Sequence, residues 1–279
     1  MKIQIVTVND KTVATHVQSF LFFNSEAGEI KYTTFPNTNL CLAIYGSNEV
    51  NYLNGKDQNY CNIVYGNKLY QSRIYGLHEQ PFNVNLSGTL DQICILFHPG
   101  ALRAFTDLPF EELLKSSNAF DLIFQDSNAK LFESLFNEIN LKKRALILEL
   151  FLKKRIEEKS IRMPAPEVIA TLKGQINSSL RITDLAKESA ISPSTLYRNF
   201  YNCIGQSPKM FLKTLRFRVA LSYISNQHSL SLTAIAYKSS YYDQAHFIRD
   251  IKSFTGCTPY QLRKHLTTEQ EQLMWLYNK

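Results

Sequence analysis

The sequence predicts an α+β fold: an antiparallel β-barrel or jelly roll with trailing helices, then an all-α region of two like helical units joined by a long helix. Three observations in its 279 residues predict it. Short runs rich in β-branched and aromatic residues, divided by turn residues, fill Lys2 to Pro99. From Gly100 to Arg162 the apolar spacing becomes helical. From Ile182 to Leu266 one pattern is written twice, and an internal repeat marks two structural units of one kind. The organisation expected is a front domain over 1–160, a helical domain over 164–267 and a tail over 268–279.

In the front part the strand-like runs are Ile3 to Val8, Val17 to Phe23, Leu40 to Tyr45, Asn62 to Tyr65, Leu69 to Tyr75 and Ile93 to Phe97. Gly28, Asn37, Gly46, Asn54-Gly55, Gly66-Asn67 and Ser87-Gly88 stand between them as turn signals. Six or more strands at this spacing fit a small barrel or a double-sheet jelly roll. Helices are expected over Pro109 to Leu114, Asn128 to Ile139 and Leu141 to Ile156. The last has Leu146, Leu150 and Ile156 on an apolar side, a core face or a dimer seam. The polar, proline-interrupted stretch Glu157 to Pro166 reads as a linker.

In the repeat, Ile182-Thr183-Asp184-Leu185-Ala186 returns fifty positions on as Leu232-Thr233-Ala234-Ile235-Ala236. Leu196, Arg198, Phe200, Gly205 and Pro208 return fifty-one positions on as Phe247, Arg249, Ile251, Gly256 and Pro259, so the second turn holds one extra residue. Each unit has the grammar of a helix-turn-helix. Ser192 caps a helix with Pro193 at its first position, and Asp243 caps its counterpart. Leu196 and Phe200, and Phe247, Ile251 and Phe254, form buried stripes. That leaves Ser194, Thr195, Tyr197 and Arg198, and Gln244, Ala245, His246 and Arg249, pointing outward as candidate readers of base edges in a major groove. The joining helix opens at Ser207-Pro208 and could hold the two at about the 34 Å spacing of successive major grooves. Ala190 and Ser240 stand where such turns call for positive φ, which glycine adopts freely.

Charge gives an independent reading. The chain carries 31 basic and 24 acidic residues. Residues 164–279 hold 14 basic and 7 acidic, and the first 163 hold 17 of each. All the excess positive charge therefore accompanies the repeat, as expected if only that part meets phosphate.

Tyr242, Asp243, Gln244, His246, Phe247, Arg249, Lys252, Gly256, Thr258, Pro259 and Arg263 form an ordered set at fixed spacing. With the first unit, this set resembles the DNA-binding domain of the AraC/XylS family of transcription regulators. The resemblance covers residues 164 to 267, and departs from the family where Ala190 and Ser240 replace the usual turn glycines. It implies a sequence-specific regulator that contacts double-stranded DNA, with a cupin-like N-terminal domain controlling it through a small-molecule effector or dimerisation. It also implies a homodimer and contact with RNA polymerase as an activator, repression staying open.

No site for chemistry emerges, so no enzyme activity and no cofactor are expected. His16, His78 and His98 are isolated, which leaves no metal site, and no P-loop, Gly-rich dinucleotide turn or nucleophile elbow is present. Five scattered cysteines lack a C-x-x-C pair and read as reduced. Tyr32, Tyr45, Tyr52, Tyr60, Tyr65, Tyr70 and Tyr75 are candidates either to line an effector pocket or to fill the barrel. No apolar run is long enough for a signal peptide or a membrane span, so a cytoplasmic protein without a membrane partner is expected. Two other readings stay open: a small-molecule-binding cupin enzyme with an accessory helical domain, and a module that binds nucleic acid without regulating anything.

Overall fold

The computed structural model describes residues 1–26, 28–54, 59–67, 69–158, 182–227, 229–265, 267–269 and 273–278. Gly55 and the linker from position 159 on, with the expected domain start at 164, lie outside the described residues. Nine strands precede the first long helix: β1 (Lys2–Thr7), β2 (Val17–Ser25), β3 (Glu29–Thr34), β4 (Leu40–Tyr45), β5 (Asn48–Asn54), β6 (Asn59–Tyr65), β7 (Ser72–Tyr75), β8 (Phe82–Ser87) and β9 (Leu90–Phe97). One sheet runs β1-β2-β9-β4-β7 and is antiparallel throughout. The second contains β3-β8-β6-β5, and there β6 and β8 are parallel, which corrects the purely antiparallel expectation.

Helices α1 (Lys11–Ala14), α2 (Phe110–Lys115), α3 (Ala119–Phe124), α4 (Ala129–Asn137) and α5 (Leu141–Glu158) accompany the first sheet. They bury its outer face: Phe20, Phe22, Leu42, Ile44, Ile93 and Ile95 join Phe120, Phe132, Leu148 and Leu152 in one core. The alternate residues Leu21, Phe23, Ala43, Tyr45, Cys94 and Leu96 meet the second sheet in another. A strand covered on both faces has no polar face to show. That is why β2, β4 and β9 read as near-continuous apolar runs while β8 alternates, with Phe82, Val84 and Leu86 inside and Asn83, Asn85 and Ser87 outside.

The inward face of α5 is Ala145, Leu148, Leu152 and Ile156 together with Arg144 and Glu149. Leu146 and Leu150, expected beside Ile156, are exposed. Arg144 donates from both arms to Asp91, at 2.7 and 2.9 Å, and Glu149 accepts the backbone N–H groups of Asn9 and Asp10. Two of the buried positions are thus charged but satisfied. A reading that sought apolar residues alone turned the helix by one position.

The C-terminal region holds α6 (Ile182–Glu188), α7 (Pro193–Ile204), α8 (Pro208–Asn226), α9 (Leu232–Lys238), α10 (Gln244–Thr255) and α11 (Pro259–His265). Its 19-residue rod α8 spans about 28 Å at 1.5 Å per residue. The rod serves two cores. Phe211, Leu212 and Leu215 pack with Ala186, Leu196, Phe200 and Ile204 of the first unit. Phe217, Ala220, Leu221 and Ile224 pack with Ile235, Phe247, Ile251, Phe254 and Leu262 of the second. Phe35 from the β3–β4 connection enters this second core, edge-on to Phe217. Beyond α11 the segment expected as a tail carries two strands, β10 (Thr267–Glu269) and β11 (Leu273–Asn278), and β11 pairs antiparallel with β3.

Candidate nucleic-acid interface

Helices α7 and α10, which carry the candidate readers and are taken as the two recognition helices, are fixed at each end by the residues their sequences supply. Ser192 Oγ accepts the N–H of Thr195 at 3.1 Å, and an Asp243 carboxylate oxygen accepts that of His246 at 2.6 Å. Each satisfies one orphan donor of a helix start. At the other end Gly205 and Gly256 lie in the left-handed region, with φ of 79° and 70°, and return their N–H groups to Tyr201 and Lys252. The turns within the units pass through Ala190 at φ 53° and Ser240 at φ 59°, the positive φ expected at those positions. A Cβ costs about 1 kcal/mol there. Ile191 and Tyr241 then donate to Ala186 and Ala236, so matched hydrogen bonds close both turns.

Of the eight candidate readers, Ser194, Tyr197, Arg198, Ala245 and Arg249 are exposed, and Thr195, Gln244 and His246 half-exposed. Leu196 and Phe247 between them are buried. The half-exposed three each have a partner within the protein. Thr195 Oγ1 lies 2.9 Å from Ser192 Oγ, Gln244 Oε1 accepts from Thr233 Oγ1 at 2.6 Å, and His246 Nε2 stands 3.6 Å from Asp250 Oδ2. Arg198 and Arg249 occupy equivalent places in the two units, and among the described residues neither pairs with a carboxylate, Asp184 included. Tyr197 stacks parallel on Tyr201 at 6.5 Å, which extends the exposed face of α7 by an aromatic step.

Sequence reasoning missed a group behind α10. Asp250 is only 7% exposed, and its Oδ1 lies 3.2 Å from the Lys213 ammonium on the rod. Lys213 in turn lies 4.8 Å from the centre of the Phe254 ring. Tyr241 packs edge-on to His246, and burial, helped by the Asp250 charge, raises its phenol pKa. The signal was available, since Asp250 interrupts the outward-polar, inward-apolar pattern of α10, but its partner lies 37 residues upstream on another helix.

The front domain holds a cavity of about 160 Å³ whose lining includes Tyr32, Tyr45, Tyr75, Cys61, Cys94, Gln92, Phe82 and His78. Tyr45 and Tyr75 join hydroxyls at 2.8 Å, and Gln92 donates to Tyr45. Burial pushes the Cys61 thiol up to about 11 and pulls His78 down to about 4. Of the other candidate tyrosines, Tyr52 packs against Tyr75 and Phe82, Tyr70 lies between Phe132 and Phe136, and Tyr65 is exposed. Arg218 of the rod also borders the cavity, and desolvation lowers its pKa to about 10. Among the described residues no helix is long and apolar enough to cross a membrane.

Residues 185–265 match a helix-turn-helix domain family, and residues 10–119 match a domain of unknown function, DUF6597. The Msm operon regulatory protein of Streptococcus mutans is 26% identical over 184 residues, 58% of this chain and 66% of that protein. An uncharacterised HTH-type transcriptional regulator of Haemophilus influenzae is 32% identical over 93 residues, 33% of this chain and 31% of that one. Each match covers less than two thirds of the relative's length. Among solved structures, ToxT from Vibrio cholerae is similar over 88% of this chain and 98% of its own, at 15% identity and a TM-score of 0.45. Residues 185–265 thus carry a helix-turn-helix domain.

Proposed function

We propose that this chain is a sequence-specific regulator of transcription whose helices α7 and α10 enter two successive major-groove segments of double-stranded DNA. The observation that carries the reading is the matched pair of capped helices flanking one rod, each with an exposed arginine, Arg198 and Arg249, at the equivalent position. A guanidinium on an exposed helix face suits the two acceptors of guanine in the major groove. Ser194, Thr195, Tyr197, Gln244, Ala245 and His246 complete the reading faces.

The front domain, cupin-like in its two facing sheets, supplies control rather than catalysis. A largely apolar cavity of about 150 Å³ holds a molecule the size of benzene, so the space here suits a small effector of about one ring. Because Arg218 of the rod borders it, such a ligand would touch the helix that carries both units. Leu146 and Leu150 on the outer face of α5, with Ile139 just before it, form an exposed apolar stripe that fits a homodimer seam. Contact with RNA polymerase, an activating role and a cytoplasmic location complete the reading. The test is selection of duplexes from a randomised pool by the full-length protein, followed by titration of binding against salt. A specific duplex, with log affinity falling linearly as log salt rises, is expected. Failure to select a sequence, or a flat salt response, contradicts the reading.

A further inference from the structure

The two recognition helices differ in what holds them. Behind α10, Asp250 reaches Lys213 of the rod at 3.2 Å, and His246, one turn earlier, stands 3.6 Å from its other oxygen. A carboxylate removed from water is costly unless a cation answers it, so the pair fixes the helix on the rod. The position equivalent to Asp250 in the first unit is Asn199, which carries no charge. Behind α7 the cation comes from elsewhere. Arg103, in the 3-10 turn that follows β9, donates from Nε to the carbonyl of Asn202 in the last turn of α7 at 2.6 Å. Its Nη1 donates to the carbonyls of Thr106 and Leu108, and its guanidinium lies 4.0 Å from the centre of the Phe110 ring. A cation at a helix C-terminus satisfies an orphan carbonyl and answers the helix dipole. The carbonyl of Asn202 is thus a backbone group of α7 to which a front-domain side chain is hydrogen-bonded.

A second contact follows the same route. Tyr75, Gly76 and His78 line the cavity, and Leu77 between them, at φ 61°, lies against Gly205 at the end of α7. A Cβ on Gly205 would stand 2.5 Å from Leu77 and 2.9 Å from Phe110. At the equivalent Gly256 the nearest neighbour is Pro81, at 3.9 Å.

We propose that the two helices are positioned by different parts of the chain: Asp250, through Lys213, sets α10 on the rod, and Arg103 sets α7 on the front domain. Both are positioning residues. The half-site read by α7 is then under the front domain's control, through a 3-10 turn and a loop next to the cavity, while the half-site read by α10 is set through the Asp250–Lys213 pair on the rod, in a core that Phe35 also enters. This rests on the DNA reading above and adds which half of the site responds.

The experiment uses the full-length protein on a duplex that the wild type has selected, footprinted at single-nucleotide resolution. Arg198→Ala and Arg249→Ala mark which half belongs to which unit. Arg103→Met should weaken protection in the α7 half and spare the α10 half, with overall affinity falling by about tenfold. Arg103→Lys, which keeps the cation, should lose less. Asp250→Asn should do the reverse, sparing the α7 half. Lys213→Met leaves the carboxylate without its cation, so adding Asp250→Asn to it should restore part of the lost binding, a coupling that general weakening of the fold would not produce. Loss of both halves together in either variant, or no change in either half, overturns the division. A wild type that selects no duplex overturns the DNA reading and the division with it.

Discussion

The first and second helix-turn-helix units use matched parts. Each recognition helix starts on a side-chain cap, Ser192 or Asp243, and ends on a left-handed glycine, Gly205 or Gly256, after a turn at Ala190 or Ser240. Their surroundings differ. Among the described residues, seven buried ones, Leu196 and Phe200 included, form the core of the first. The core of the second has twelve, and one of them, Phe35, comes from the front domain. Local sequence thus builds each helix, while long-range contacts decide how firmly it is held and by what.

The largest expected effects come from the cores. Phe200→Ala and Phe247→Ala each remove a buried ring, which costs about 3–5 kcal/mol according to how far the site can collapse. Phe247→Ala should cost more, because its core includes Phe35 and so is braced from two domains. Denaturant midpoints of the full chain measure it, and equal losses would remove the difference between the cores.

Next come the matched arginines. Arg198→Ala and Arg249→Ala should each weaken binding to a selected duplex by about 1–3 kcal/mol and relax preference at one base pair. Competition with single-base variants of the duplex checks it. Equal weakening toward every sequence would make these residues phosphate contacts.

The glycine ends sharpen the comparison further. Both positions have positive φ, so alanine costs about 1 kcal/mol at either. Gly205→Ala should lose roughly 1–2 kcal/mol beyond that, since its new methyl meets Leu77 and Phe110, whereas at Gly256 the methyl makes only an ordinary contact with Pro81 at 3.9 Å. Equal melting shifts for the two would mean that Leu77 yields freely.

The smallest effects belong to the turns. Ala190→Gly and Ser240→Gly relieve left-handed strain while adding entropy to the unfolded chain, two terms of about 1 kcal/mol and of opposite sign. Each should be neutral or mildly stabilising in denaturant titration. A clear loss in one unit alone would show that its turn is not under strain.

What the sequence made legible were features that lie within a few residues of one another. Caps, turn positions and the buried stripes of α7 and α10 were readable because each partner stands three or four positions away. The strands β2, β4 and β9 were readable because both faces are buried. β3, β5 and β8 were not, since Lys31, Asn51, Asn83 and Asn85 dilute their apolar content and asparagine also reads as a turn. The inward face of α5 was misread because Arg144 and Glu149 are buried through partners at Asp91 and Asn9 that only the fold brings near. Lys213 with Asp250 and Arg103 with Asn202 were invisible for the same reason, with 37 and 99 residues between the partners. The pairing of β11 with β3 joins opposite ends of the chain, a contact that no local pattern announces.

The central claim is that one rod presents both units to one face of DNA, and the spacing of the two half-sites tests it most directly. Inserting five base pairs between the footprinted halves of a selected duplex turns one half to about the opposite side of the helix, half of a 10–10.5 base-pair turn. A rigid pair should then bind with one unit only: affinity should fall by at least tenfold, and the slope of log affinity against log salt should drop to about half as phosphate contacts are lost. Unchanged affinity and slope on the expanded duplex would contradict the account, because the two helices would then be reading DNA independently of the rod that joins them.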